Sequence, residues 1–544
     1  MRYIKHIISA AVIGLGLVSC TGKFEQINTN PNKNTVGSVQ AYNLFEPIFY
    51  ATGKWNVNST YVYAGPISGQ FANTKNMTAT AYIHKWDLSA SHMQGFWDDS
   101  ARYGYDCHHM IATAQKHEDP YYEALGYIFK VYHLSNLVTL FGDIPYTEAY
   151  RGPSEGLKTP AFDSQQDVFG FLCNDLEYAV SILKEDPKPS YGKLDTMYGD
   201  DCQKWIKFAN SLKIRLLHRI ANADQTAWNK IQEMVNNPAE YPVFESIEEQ
   251  AVIPFSGVDP YQSYFSTGNV SEENFKNYKL SREVVGMLYD SQTKYEDPRL
   301  SVFGLKNGSA DWKGTIPGVH DSERSAADND ATHLNTHTLN RNNAPSRIME
   351  YSELLFIYAE GVLKGKLTMP QSAKNYYEEA VKASVKTWSA WAEYNEVPKD
   401  GQPVSFNDDA IATLLKSTLA SYDAVAAGTS PYQSVEELVL SQKWLSLFWN
   451  GFEAYNEWRR NEYPIITIAS GTLPNDYEMP TRFEYPMTVR ASNSANMNIA
   501  LDRMGGTNDM HTPLWWSYKA LNNGSRPEHV YEKQAESPEV QPES

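Results

Sequence analysis

The sequence predicts a mainly α-helical protein, a scaffold of paired helices with long irregular loops laid over it. Three observations lead there. Apolar residues recur at steps of three and four in several windows, the period of an amphipathic helix, and those windows fall in neighbouring pairs. Between them lie stretches rich in Tyr, Asn, Thr, Ser and Gly in which no strand alternation runs far. The chain has 544 residues, 42% hydrophobic and 13% aromatic, enough apolar surface to bury a large core.

The first element is a leader. Arg2 and Lys5 form a basic start, and Ile7 to Val18 is a mostly apolar run too short to cross a bilayer as a helix. Leu17-Val18-Ser19-Cys20 then has the form of a lipobox, with an apolar residue three before the cysteine and a small one just before it. Residues 1–19 read as a signal peptide and Cys20 as the lipidated residue; the alternative is an ordinary secretory leader with an incidental cysteine. Either reading exports the chain. At about 0.8 kcal/mol per buried CH₂, one acyl chain holds marginally and the three of a mature bacterial lipoprotein hold firmly. Residues 20–34, with Asn28-Thr29-Asn30-Pro31-Asn32, show turn chemistry without apolar periodicity and read as a flexible leash.

Helices follow. In Tyr121 to Phe141 the residues Leu125, Ile128, Phe129, Tyr132, Leu137 and Leu140 form a stripe, and its partner Asp167 to Leu183 repeats the period until Pro187 stops it. Gln203 to Ala221 places Trp205, Phe208, Leu212, Leu216 and Ile220 together, with a basic flank. The clearest pair is Tyr351 to Lys364 followed by Gln371 to Val385, where Ala359, Ala373 and Ala380 permit the close packing of tetratricopeptide-like helix pairs. Val435 to Arg460 reads as one last long helix of core aromatics, and Trp97 as a core residue near a helix start. Gly53 to Ser91, Phe255 to Tyr278 and Asn307 to Arg347 read as long loops, the kind that carries function. From Asn522 the acidic, Pro-containing tail to Ser544 reads as disordered.

Charge and motifs narrow the function. A net charge of −18 argues against nucleic acid or anionic lipid as partner, since both need clustered Lys and Arg. Once Cys20 is set aside, Cys107, Cys173 and Cys202 allow at most one disulfide, and buried free thiols are expected. No HExxH, GxSxG, Walker loop or dinucleotide fingerprint occurs. Asp328-Asn329-Asp330 has alternating oxygen ligands but lacks the Gly and distant Glu of a calcium loop, and no cofactor or metal is assigned. A glycoside hydrolase would need two carboxylates converging in space, which spacing along the chain does not reveal.

Several motifs together resemble a family. These are FGDIPYTEA at 141–149, KWIKFANSLKIRL at 204–216, YSELLFIYAE at 351–360, and Gln442-Lys443-Trp444 through Trp458-Arg459-Arg460 to Tyr463-Pro464. With Tyr485-Pro486, Gly505-Gly506 and Trp515-Trp516 they resemble the SusD/RagB nutrient-binding lipoproteins, SusD-like branch, in order over nearly the whole mature chain. The resemblance implies one SusD-like body over 35–521, with small β-hairpins on the helix pairs. It further implies a non-catalytic outer-membrane lipoprotein, acting as the lid of a SusC-type TonB-dependent transporter that imports a captured nutrient. The alternatives are a lid for peptides or protein fragments, a hydrolase and a plain scaffold.

Gly142-Asp143-Ile144-Pro145 reads as helix-ending architecture, and Arg459 and Arg460 as a buried or capping ion pair at a helix end. Glycan binding needs flat rings against the CH faces of sugars and polar groups for the hydroxyls. Loop aromatics are therefore the expected ligand-binding residues: Trp55, Tyr61, Tyr63, Trp86, Tyr261, Tyr264, Tyr278 and Trp312, with Asn58, Gln70 and Asn73 as polar neighbours.

Overall fold

A computed structural model describes residues 39–74, 83, 86, 88, 90–265, 270–317, 330–392, 406–468, 479–522 and 531–533. The leader 1–19, Cys20, the leash 20–34, Asp328 and Asn329, and the tail apart from 522 and 531–533 lie outside them.

The longer helices are α1 (Ala41–Ser59), α2 (Ala90–Lys116), α3 (Pro120–Phe141), α4 (Gln165–Leu183), α5 (Cys202–Ile220), α6 (Thr226–Asn236), α7 (Tyr351–Leu363), α8 (Ala373–Ala392), α9 (Val435–Ser446), α10 (Glu453–Asn461) and α11 (Ser494–Met504). They pack as consecutive antiparallel neighbours, α2 on α3, α3 on α4, α4 on α5 and α7 on α8. The pairs α3/α4 and α7/α8 are those the apolar periods predict. Local chemistry sets their ends: the Ser164 hydroxyl accepts from the Asp167 N–H at 3.1 Å, and Asp201 accepts from the N–H groups of Gln203 and Lys204. After α3, Gly142 takes φ +92, and the Asp143 carboxylate accepts from the Gln165 N–H and from Arg503, as the architectural reading of that motif expects.

Two expectations change. Residues 53–67, expected in a loop, continue α1 through a wide turn at Thr60–Ala64 and one more turn at Gly65–Ile67. Phe45, Ile48, Phe49, Thr52 and Trp55 lie on one buried face of this helix, a period hidden by the many polar residues around it. The expected helix 435–460 is two, α9 and α10, because Trp449 (φ +64) and Gly451 (φ +54) turn the chain between them. A β-carbon on Gly451 would stand 2.5 Å from Asn56 Oδ1, so the turn also needs a residue without one.

Sheets are small. β1 (Phe71–Asn73), β2 (Tyr278–Leu280), β3 (Gly304–Leu305) and β4 (His333–Leu334) form one antiparallel sheet in the order β1-β2-β4-β3, with Phe71 opposite Leu280. Tyr289–Asp290 and Tyr295–Glu296 make a hairpin. Within the tail expected to be disordered, Tyr531–Lys533 runs parallel to Ile466–Ile468. One hydrophobic cluster extends from Ala41 to Trp516, with Trp97 packed partly buried against it. Cys107, Cys173 and Cys202 are buried free thiols. No helix among the described residues is long and apolar enough to cross a membrane.

Where α5, α7, α9 and α10 meet, charges are buried in matched sets. Arg215 donates to both oxygens of Glu353 at 2.7 and 2.5 Å, and Arg219 donates to Glu453. Arg460 bridges Glu360 and Glu457 at 2.5 and 2.7 Å, and Lys443 donates to Glu457 at 2.9 Å. His218 lies between them: Lys443 Nζ is 3.3 Å from its Nδ1 and Glu360 is 2.9 Å from its Nε2, which assigns the ring proton to Nε2. The KWIKFANSLKIRL, YSELLFIYAE and Trp458-Arg459-Arg460 motifs thus meet in one polar core, and Arg460 is the buried ion pair expected of it. Such sets add little net stability, but breaking one strands a charge in the interior.

Candidate functional site

The buried stripe of α1 is flanked by a half-buried one, Tyr42, Glu46 and Tyr50 at steps of four, along the edge of the core. Two loops close over it, one through Tyr191 and Leu194 and one through Pro260 and Tyr261, and together they line a cavity of about 720 Å³. That volume suits a ligand of several rings.

Aromatic pairs form two walls. Tyr42 and Tyr191 stack with centroids 5.1 Å apart and planes at 26°, while Tyr50 and Tyr261 lie 4.7 Å apart at 47°. Tyr191 is 55% exposed. The rings are held from behind: Tyr122 donates to the Tyr191 carbonyl, Tyr50 Oη lies 3.2 Å from Thr196 Oγ1, and Lys54 Nζ donates to the Pro260 carbonyl at 3.1 Å. Glu46, beside the Tyr261 phenol, raises that group above its ordinary pKa by its negative charge and a hydrogen bond. Pro47 has no N–H to give to the Asn43 carbonyl four residues back, and both residues line the cavity. The cavity therefore offers apolar ring faces with a backbone acceptor, an amide, a carboxylate and an ammonium at its edge. Glu46 is the single carboxylate among the described residues lining it, so the acid pair of a glycoside hydrolase is not assembled there.

Of the residues expected from sequence, only Tyr261 lines this cavity. Trp55 (4% exposed) sits on the core face of α1 with its ring edge-on to Tyr132 and His133. Trp86 (0%) is fully buried, and Trp312 (9%) is covered by Lys306, whose Nζ lies 5.0 Å from its ring centre. The expectation that Trp55, Trp86 and Trp312 bind ligand is corrected: large rings in a polar sequence context have been drawn under the surface by their apolar area. Tyr61 and Tyr278 are buried against each other, centroids 4.3 Å apart, with Phe275 stacked on Tyr61. Tyr63 and Tyr264 are half-buried at the edge of this cluster, against Phe96 and Phe265 respectively. Gln70 is buried and donates to the Trp444 carbonyl at 3.0 Å, Asn73 is buried in β1, and Asn58 is half-buried. Tyr42, Tyr50 and Tyr191 were missed in sequence. The signal for the first two was the i, i+4, i+8 stripe flanking a buried helical face; nothing in the sequence around Tyr191 brings it to α1.

Comparison with known proteins follows the geometry. Residues 31–486 match the SusD-like family described as starch-binding and associating with the outer membrane. No curated protein matches the chain. Solved structures match over most of its length. A chitin-binding protein is similar at 24% identity and TM-score 0.71, covering 87% of this chain and 99% of its own. A SusD homologue from Bacteroides fragilis is similar at 20% identity and TM-score 0.69 (88% and 99%), and a chitin-binding SusD homologue from Flavobacterium johnsoniae at 20% and 0.67 (88% and 98%).

Proposed function

We propose that this chain, which belongs to the SusD-like family of outer-membrane-associated starch-binding proteins, captures an oligosaccharide in the tyrosine cavity of α1 and delivers it to a SusC-like TonB-dependent transporter. The observation that carries the proposal is the convergence of four tyrosine rings from three separate chain segments on one cavity. Paired rings present flat apolar faces to the CH faces of pyranoses, and the groups at the edge meet the hydroxyls. Lys54 is engaged with a carbonyl and Glu46 with a phenol, so the cavity suits a neutral glycan. The family description and two neighbours' names make starch and chitin oligosaccharides the first probes.

The protein acts by binding and not by catalysis. Cleavage before Cys20 and acylation of its thiol tether the body through the leash 20–34 to the outer membrane, where it covers the transporter as a movable lid. The body is one unit over 35–521. Affinity electrophoresis in gels cast with soluble starch or glycol chitin tests the ligand: retardation by either supports the proposal, and migration unchanged by both refutes it. Co-purification of a large β-barrel from mild detergent extracts tests the lid, and Cys20→Ser should release the protein from the membrane fraction.

A further inference from the structure

We propose a second saccharide-binding site, in the cleft where the 142–156 turn lies over α2, α3 and α4. Its choice of ligand rests on the glycan reading of the tyrosine cavity; its geometry does not. The cleft has a volume of about 540 Å³ and shares no lining residue with the first cavity. Its floor is Tyr146 stacked on Phe171, centroids 5.4 Å apart and planes at 26°. Lys130 Nζ lies 4.7 Å from the Tyr146 ring centre and 2.7 Å from Asp175, which also accepts from the Tyr146 hydroxyl, so the floor is locked in place.

The wall is Tyr150. Its ring faces His108 at 5.6 Å and 33°, and Tyr105, 39% exposed, continues the aromatic surface outward at 6.0 Å. Two features show that this ring is placed at a cost. Tyr150 holds φ +66, a left-handed conformation unfavourable for an aromatic residue. Its hydroxyl sits in a notch at Gly104, where a β-carbon would come within 2.0 Å, so α2 carries a helix-weakening glycine at that point. Behind Tyr150 lies a further cavity of about 200 Å³, walled by Trp97 and Phe162 stacked at 20°, with Ala149 and Tyr150 lining both it and the cleft. Exposed Arg151, its guanidinium 3.8 Å from Glu155, and exposed Asn174 stand at the rim as donors for hydroxyls. Ring floor, ring wall and polar rim repeat the composition of the first cavity. Two sites on one tethered body would hold a long chain by avidity.

The test is calorimetric titration of the full protein with maltoheptaose and with chitohexaose. Three proteins are compared: wild type, Tyr42→Ala/Tyr191→Ala, and Tyr105→Ala/Arg151→Ala, whose exposed positions leave the fold intact. A fourth, Gly104→Ala, displaces the Tyr150 ring without touching the rim. Two sites per wild-type chain are expected for the same sugar. One site should survive in the first-cavity variant, and the second cleft should bind about tenfold more weakly in both of its variants. If the first-cavity variant loses all binding and the second-cleft variants match wild type, the second site is refuted and the first stands. If the first-cavity variant matches wild type while the second-cleft variants lose binding, the first reading is refuted and this one stands. No heat from either sugar with wild type refutes both.

Discussion

Glu360→Gln should cost about 3–5 kcal/mol of folding free energy. The carboxylate is fully buried and serves Arg460 at 2.5 Å, His218 at 2.9 Å and Lys364 at 2.9 Å. Around it, Arg460 and Lys443 are balanced by Glu360 and Glu457, while Lys364 has a further partner in half-exposed Glu436. Removing one negative charge without changing shape leaves Arg460 and Lys443 sharing Glu457, a surplus positive charge in the interior. At an effective dielectric near 20, a single close pair is worth roughly 4 kcal/mol, in line with the measured cost of breaking buried pairs. Burial alone would raise the Glu360 carboxyl, yet the attraction of Arg460, Lys364 and His218 outweighs it and holds the group well below the usual carboxylate range. Its stabilisation is therefore present above the unfolded value near 4.5 and fades as pH falls toward the lower folded value. Urea unfolding at pH 7.5, followed by far-ultraviolet circular dichroism, measures the loss, with Glu436→Gln as a control within about 0.5 kcal/mol. A loss under about 1 kcal/mol for Glu360→Gln would refute the matched-charge account of this core.

Acid should destabilise the fold through two buried histidines. Burial, then the cations Arg460 and Lys443, push the His218 pKa down to about 3, and burial, then Arg102, does the same for His133. The unfolded chain takes up these protons near pH 6.5, so stability is full above that pH and falls below it; each histidine contributes about 1.4 kcal/mol between pH 7.5 and 5.5, roughly 3 kcal/mol together. Urea midpoints at the two pH values check this, and a difference below about 1 kcal/mol would count against it. Gly314→Ala should cost about 3 kcal/mol, because a β-carbon there meets the Ser281–Arg282 backbone at 2.4–2.5 Å. Gly286→Ala, with open space and a helical backbone, should stabilise by about 0.5–1 kcal/mol, and thermal melts compare the two. In glycan titrations, Tyr191→Phe should bind within about threefold of wild type and Tyr191→Ala about tenfold more weakly; equal losses would mean that the hydroxyl, and not the ring face, makes the contact.

The helices legible in sequence were those whose apolar stripe keeps its period over several turns. α3, α4, α5 and α7 announced themselves because large apolar side chains recur along their buried faces at the helical period, even where α5 and α7 also bury Arg215, His218, Glu353 and Glu360, and the caps at Ser164 and Asp201 agree with those limits. α1 was illegible because Thr52, Asn56, Ser59 and Thr60 are buried along it, and Thr52, Asn56 and Thr60 spend their side-chain donors on backbone carbonyls. A polar residue that bonds a neighbouring carbonyl reads as loop composition when its partner is unseen. The 435–460 segment illustrates the opposite error: buried Phe448 and Phe452 continue the helical period while the backbone at Trp449 leaves the helix. The site was harder still. Tyrosines outnumber any platform that could be built from them, and what separates Tyr61 from Tyr42 is which side of one helix each occupies. Tyr191 joins Tyr42 through tertiary folding alone, over a separation no local pattern spans.

The most direct test of the central claim is a crystal structure of the chain with a bound starch or chitin oligosaccharide. Density for consecutive sugar rings against Tyr191 and Tyr42, continuing toward Tyr50 and Tyr261 with hydroxyls at Asn43 and Glu46, is the predicted result. Sugar bound over Tyr63 and Tyr264 with the α1 cavity empty would contradict it.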